Sequence, residues 1–254
     1  MIITPELLAM LFGVAVLAGF IDSVSGGGGL IALPTLMLAG LSPVQAIGTN
    51  KFQAIFGKIS SVRYFLKHGL IDVKKFKLAI IVTFISAGLG GYTVQLIPNH
   101  DLVLYIPWMI GIVALYTIFS PRMADIDTSQ RLTIAAFSFA VVPFLAFYDG
   151  FFGPAASSFF AISFIALLGF STAKAVAHTK LLLLFANGAA IITFIIGGHI
   201  LWKIGFVMAI GQWIGGHYGS KMVHLKGSKI VKPMLISVCF ILIGKMIYQS
   251  GVVV

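Results

Sequence analysis

Apolar residues in this chain run in long unbroken stretches. Ser23 to Asn50, Leu78 to His100, Leu102 to Pro121, Gly150 to Ala173, Leu181 to Trp202 and Ile204 to Ser220 carry no Asp, Glu, Lys or Arg. Several of them reach the roughly 20 residues that a helix needs to cross a bilayer. A β-barrel would alternate apolar and polar positions in short segments, and no such alternation is present. Breaks at Pro, Gly and charged clusters divide the pattern into about ten segments. They run about Pro5–Ile21, Gly28–Ala39, Pro43–Leu66, Lys75–Ile97, Leu102–Phe119, Leu132–Tyr148, Gly153–Leu168, Ala173–Gly197, Trp202–Met222 and Ile230–Gln249. The expected fold is an all-α polytopic membrane protein with 8–10 transmembrane or re-entrant helices.

The segments fall into two related sets. Asp22 aligns with Asp149 and Gly26 with Gly153; after a length difference of two residues, Gly40-Leu41-Ser42 aligns with Gly169-Phe170-Ser171. The register then holds: Thr49-Asn50-Lys51 falls on His178-Thr179-Lys180, Phe56 on Phe185, and Gly69-Leu70-Ile71 on Gly198-His199-Ile200. This reads as a duplicated unit of about five segments, residues 1–120 and 121–254.

Loop charge gives the two units opposite sense. The connection from Lys58 to Lys77 holds Lys58, Arg63, Lys67, Lys74, Lys75 and Lys77, against only Lys203 in its counterpart. The next loop, Pro98 to Asp101, has no Lys or Arg, while its counterpart holds Lys221, Lys226, Lys229 and Lys232. Basic loops face the cytoplasm, so the units are expected to be inverted repeats with the N-terminus outside. Arg122, Arg131 and Lys174 then also lie inside, and Lys203 is the exception.

Composition agrees with lipid as the solvent. Hydrophobic residues make up 59% of the chain, charged residues 9%, and the mean hydropathy is +1.06. A formal charge of +10 would suggest nucleic-acid binding in a water-soluble chain, but the positive-inside loops use most of it here. Glu6 stands where a signal peptide would be basic, so Leu7 to Ile21 is read as a retained segment. The single Cys239, in an apolar run, is read as packing, and no His, Cys or Glu group has metal-ligand spacing. Neither a Ser/His/Asp arrangement nor a nucleotide-binding loop can be assigned. The reading is therefore of a non-enzyme with no cofactor and no nucleic-acid partner.

Candidate chemistry lies at the two breaks. Asp22-Ser23-Val24-Ser25-Gly26-Gly27-Gly28-Gly29 interrupts the first apolar region, and Asp149-Gly150-Phe151-Phe152-Gly153-Pro154 interrupts the matched one. Such runs suit neither a lipid-exposed helix interior nor an exposed loop. A helix starting near Gly28 would aim backbone N–H groups at an anion, and Pro154 suits the first turn of another helix. Close packing through small residues is the competing reading. The first two segments can both span, or form a hairpin dipping into the membrane. Lys51 and Lys180 are matched lysines inside apolar segments, where a central lysine costs about 2.5–3.5 kcal/mol. Their companions Thr49, Asn50, Gln53, His178, Thr179 and Asn187 supply further donors, either for a ligand or for knitting helices together. Asp22 and Asp149 can cap the following helix, pair with a lysine or carry a proton.

The run Gly19-Phe20-Ile21-Asp22-Ser23-Val24-Ser25-Gly26-Gly27-Gly28-Gly29-Leu30-Ile31-Ala32-Leu33-Pro34, followed by Gly48-Thr49-Asn50-Lys51-Phe52-Gln53, resembles the TauE/SafE sulfite exporter family. Tyr148-Asp149-Gly150-Phe151-Phe152-Gly153-Pro154 with Ala177-His178-Thr179-Lys180-Leu181 is similar to its YfcA-type branch. That resemblance implies a multi-pass transporter of the bacterial cell inner membrane for small anions, among them sulfite, sulfonates and sulfoacetate. On this sequence it marks the motifs around Asp22, Gly26, Gly27, Gly28, Gly29, Asn50 and Lys51, and around Asp149, Gly153, Pro154, Thr179 and Lys180; with the neighbouring donors Ser25, Thr49, Gln53 and His178 they make the expected substrate site. Asp22 and Asp149 are the proton-coupling candidates. The expected partners are a small anionic substrate and the lipid bilayer, and a homo-oligomer is compatible with the pattern. Family patterns place more glycine after Gly153-Pro154 than the Ala155-Ala156-Ser157 found here, which puts close backbone approach on that side in question.

Overall fold

A computed structural model describes residues 3–106, 126–227 and 229. Most of the expected Leu102–Phe119 segment, the Ile230–Gln249 segment, Cys239, Arg122 and Lys232 lie outside them. The described residues are helical: α1 Pro5–Ser25, α2 Gly28–Leu38, α3 Pro43–Lys67, α4 Lys77–Gln95, α5 Ile134–Ala140, α6 Val142–Phe151, α7 Ala156–Leu168, α8 Thr172–Ile196 and α9 Trp202–Lys226. Residues 99–106 are helical as well. The helices α1, α4 and α8 are long and apolar enough to cross a membrane. Together α5 and α6, bent by 45° between them, would make a fourth such span. The large apolar side chains left exposed, such as Phe144, Ile196, Leu38 and Phe139, cover the outside of a protein whose solvent is lipid.

Local chemistry explains where the helices start and stop. Thr4 caps α1, with Pro5 in its first turn. Ser42 and Gln45 form a reciprocal capping box at α3, again followed by proline at Pro43. Ser42→Ala is expected to cost about 1 kcal/mol, read as a small fall in the thermal midpoint of detergent-purified protein.

The length of α2 decides how the first break is built. Its 11 residues extend about 16 Å, roughly half the hydrocarbon thickness. Two full spans therefore do not describe this pair: α1 is long enough to cross and α2 is not. Two boundary expectations are corrected. Helix α1 continues through Asp22 to Ser25, so the break sits at Gly26-Gly27, and Asp22 belongs to the last turn of α1 without capping α2. Pro154 does not occupy a first helical turn: α7 starts at Ala156, with Ala155 at its N-cap in a left-handed conformation at φ 60°.

Packing exchanges helices between the halves. Helix α9 of the second half packs on α1 and α3 of the first, and α4 of the first packs on α6 and α8 of the second. Matched positions make the same contact. A side chain at Gly219 would meet the Phe20 carbonyl oxygen, and one at Gly90 would meet that of Phe147. The crossings also have a direction. Gly48, early in α3, lies against Phe194, late in α8, while Asn187 reaches Lys58; α3 and α8 therefore run antiparallel. By contrast, α3 and α9 run parallel, Phe52 meeting Gly205 and Tyr64 meeting His224.

These directions gather the basic loops. Tyr64 Oη and His224 Nδ1 lie 3.2 Å apart, joining the ends of α3 and α9. The Asp72 amide donates to His178 Nε2 at 3.2 Å, bringing the α3–α4 loop to the start of α8, where Lys174 pairs with Asp127 at 2.8 Å. Lys67, Lys74, Lys75 and Lys77 thus share one end of the molecule with Lys174, Lys221 and Lys226. At the other end Asn99 accepts from the Val44 amide, beside the start of α3.

Candidate functional site

The two breaks meet. Gly26 ends α1 in a left-handed conformation at φ 81°, and any side chain there would strike Ser157 Cβ at 2.5 Å and the Ser158 nitrogen at 2.7 Å. Ser158 Oγ donates to the Ser25 carbonyl at 2.6 Å, and Gly29 faces Pro154. Gly153, at φ 95°, leaves room for the Lys51 ammonium, which would lie 2.7 Å from an added Cβ.

Around this meeting point the ion pairs cross between halves. Lys51 of α3 pairs with Asp149 of α6 at 2.9 Å and also donates to the Asp149 carbonyl. Lys180 of α8 pairs with Asp22 of α1 at 2.9 Å, donates to the Asp22 carbonyl, and donates to Ser157 Oγ at 3.0 Å. Each lysine therefore holds both the carboxylate and a last-turn carbonyl of a broken helix from the opposite half. A cation suits that position, because the C-terminal end of a helix is its negative pole. Three of these groups are buried, with side-chain exposures of 3% for Lys51, 4% for Asp149 and 1% for Lys180, and Asp22 is mostly covered at 15%.

Loop-charge reasoning places Lys58 in a basic connection, and the structure corrects this. Lys58 is 5% exposed, inside α3, with its Nζ 3.8 Å from Asp22 Oδ2. It lies two turns after Lys51 on the same face, and both line one small cavity with Asp22, Gly28, Gly29, Asn50, Ala54, Asp149, Gly153, Ser157, Asn187 and Gln212. Asn187 stands at the position matched to Lys58. With its amide turned to satisfy both neighbours, it accepts from Lys58 Nζ at 3.1 Å and donates to Asp149 Oδ2 at 3.3 Å. The seven-residue spacing of Lys51 to Lys58, repeated as Lys180 to Asn187, is the signal that would have found this pair in the sequence.

The other expected site residues divide. Asn50 lines the cavity and accepts from Gln53 Nε2 at 2.8 Å. A second small cavity, on the far side of the Lys180–Asp22 pair, is lined by Ser25, Gly26, Ser158 and Thr179, among others. Among the described residues Thr179 Oγ1 has no hydrogen-bond partner, and neither has Gln53 Oε1. Gly27 serves as the N-cap of α2, and Pro154 accepts from Tyr148 Oη at 2.8 Å. Thr49 and His178 point elsewhere. Thr49 Oγ1 accepts from the Leu201 amide at 3.1 Å, fixing the entry to α9. His178 bonds the Asp72 amide and sits among the rings of Phe76, Phe164 and Phe170. Ser157, Lys58 and Gln212 join the candidate set in their place, and Asn187, expected as a companion donor, lines the cavity with them.

Helices long and apolar enough to span, with a network of cross-paired charges beside a polar cavity, fit a polytopic membrane transporter. The chain belongs to the sulfite exporter TauE/SafE family, whose model matches residues 11–246. It is 42% identical over 248 residues to the probable membrane transporter protein YfcA of Escherichia coli K12, covering 98% of this chain and 92% of that protein. A probable membrane transporter protein of Haemophilus influenzae is 41% identical over 246 residues, covering 97% and 96%. The probable membrane transporter protein YunE of Bacillus subtilis is 22% identical over 93% and 95%. No solved structure matches the chain.

Proposed function

We propose that this protein is a secondary carrier of small anions across the bacterial inner membrane, with sulfur oxyanions such as sulfite and organic sulfonates as the leading substrate class. The observation that carries this reading is the charge of the buried network around the central cavity. Lys51, Lys58, Asp22 and Asp149 line that cavity and Lys180 reaches Asp22 from the neighbouring one, so across the network three ammonium groups meet two carboxylates and one positive charge is left over. An unpaired buried cation is costly, and a bound anion relieves the cost. The family's description as a sulfite exporter supports the sulfur-containing class.

Alternating access follows from the crossed pairs. An anion held at Lys51 and Lys180 competes with Asp149 and Asp22 for the same ammonium groups, and those pairs tie each half to the other. Loosening one pair while the other holds lets the halves rock about the site. The antiparallel crossing of α3 and α8 supports two inverted halves, a recurring transporter architecture. The basic loops gathered at one end support a cytoplasmic assignment for that end, with the N-terminus outside. Protonation of Asp22 or Asp149 frees a lysine for the anion and so couples a proton to transport.

Counterflow tests the reading. In proteoliposomes, unlabelled sulfite on the trans side is expected to accelerate uptake of labelled sulfite. Uptake indifferent to trans substrate would identify a pore, and the absence of uptake for sulfite, thiosulfate and sulfonates alike would refute anion transport.

A further inference from the structure

Lys58 breaks the match between the halves. In the register that pairs Lys51 with Lys180 and Phe56 with Phe185, Lys58 falls on Asn187. Lys51 and Lys180 are each held at 2.9 Å by a carboxylate of their own. The nearest carboxylate oxygen to Lys58 is Asp22 Oδ2 at 3.8 Å, and Lys180 already holds that oxygen. The amide oxygen of Asn187, 3.1 Å away, is a neutral partner. Lys58 is therefore the cation without a carboxylate of its own among the described site residues, and it lines the cavity.

We propose that Lys58, set against the neutral Asn187, fixes the valence of the transported ion: the cavity takes one monovalent oxyanion, and takes a divalent one only together with a proton. This rests on the anion-carrier reading above and deepens it. A monoanion beside Lys58 brings the buried charge to zero. A dianion leaves a net negative charge in a site away from water, at a cost like that of the unpaired cation it replaced. One proton from the aqueous side, taken up with the dianion, restores neutrality. Loading is then one dianion plus one proton, with no other group gained or lost. A lysine in place of Asn187 would hold a second extra charge and accept a dianion without the proton.

The test uses the purified full chain with methanesulfonate as the strict monoanion and sulfate as the strict dianion. Wild type is expected to bind methanesulfonate with an affinity that does not change around neutral pH, and to bind sulfate about tenfold more tightly for each unit the pH falls. Lys58→Asn is expected to weaken methanesulfonate binding by ~30-fold or more. Asn187→Lys alone is expected to turn the preference toward sulfate and to remove its pH dependence. The exchange Lys58→Asn with Asn187→Lys returns the same net charge to the same cavity and is expected to restore methanesulfonate binding, which a merely structural Lys58 would not allow. Methanesulfonate affinity in Lys58→Asn within about threefold of wild type, or a folded exchange variant that fails to recover, overturns the valence assignment. If wild type binds neither probe, nor sulfite, nor thiosulfate, the anion-carrier reading itself fails.

Discussion

Asp22→Asn is expected to destabilise the protein by about 3–5 kcal/mol, because it leaves two buried lysines without their carboxylate. Asp22 lies 2.9 Å from Lys180 and 3.8 Å from Lys58, so its loss exposes both. Asp149→Asn removes the partner of Lys51 alone and is expected to cost less. The double change Asp22→Asn with Lys180→Gln removes one charge of each sign and is expected to recover the part of the loss that Lys180 carries, with Lys58 still left without Asp22. Thermal or denaturant melts of detergent-solubilised protein check both parts. Equal losses for the single and double variants would show that Lys180 and Asp22 do not act as a pair.

The second large effect concerns the exchanged helices. Gly219 of α9 lies so close to α1 that an added Cβ would be 2.6 Å from the Phe20 carbonyl oxygen and 2.8 Å from Ser23 Cβ. Gly90 of α4 makes the matched approach to α6, where an added Cβ would be 2.8 Å from the Phe151 nitrogen. In lipid no hydrophobic force holds helices together, so close approach through small residues must supply the packing. Gly219→Leu and Gly90→Leu are each expected to cost about 3 kcal/mol through overpacking against backbone. The losses should be similar because the contacts are matched. Melting temperature and the monodisperse fraction after extraction are the readouts, and a wild-type melt for either variant would contradict the packing described.

Much of this arrangement was legible in the sequence. The apolar runs located α1, α4 and α8, and the matched glycines and aspartates located both breaks. Crossing of the ion pairs was not legible: aligning Lys51 with Lys180 and Asp22 with Asp149 is equally compatible with pairing inside each half, and only the three-dimensional exchange makes the pairs reach across. Lys58 was obscured by its neighbours Arg63 and Lys67. Counting charge along a segment treats all three as one basic cluster, whereas Lys58 lies more than a helical turn before Arg63, deep enough in α3 to turn inward. His178 stood beside the important Lys180 in sequence, yet adjacent helix positions point about 100° apart, and its ring faces the phenylalanines instead. At Ala155 the expected glycine conformation is present without the glycine. A φ of 60° is adopted by an alanine, the only non-glycine residue with positive φ among those described. That conformation is strained by about 1–2 kcal/mol, and the packing around the Gly153 turn sustains it.

The measurement that bears most directly on the central claim is sulfite counterflow by the Asp22→Asn/Lys180→Gln protein in liposomes. This variant keeps the net charge of the buried network but lacks one of the two crossed pairs. If the crossed pairs hold the anion and move with it, counterflow falls to the level of protein-free vesicles while the protein still purifies folded and monodisperse. A counterflow rate close to that of wild type would show that the Lys180–Asp22 pair only holds helices together and that the anion crosses elsewhere.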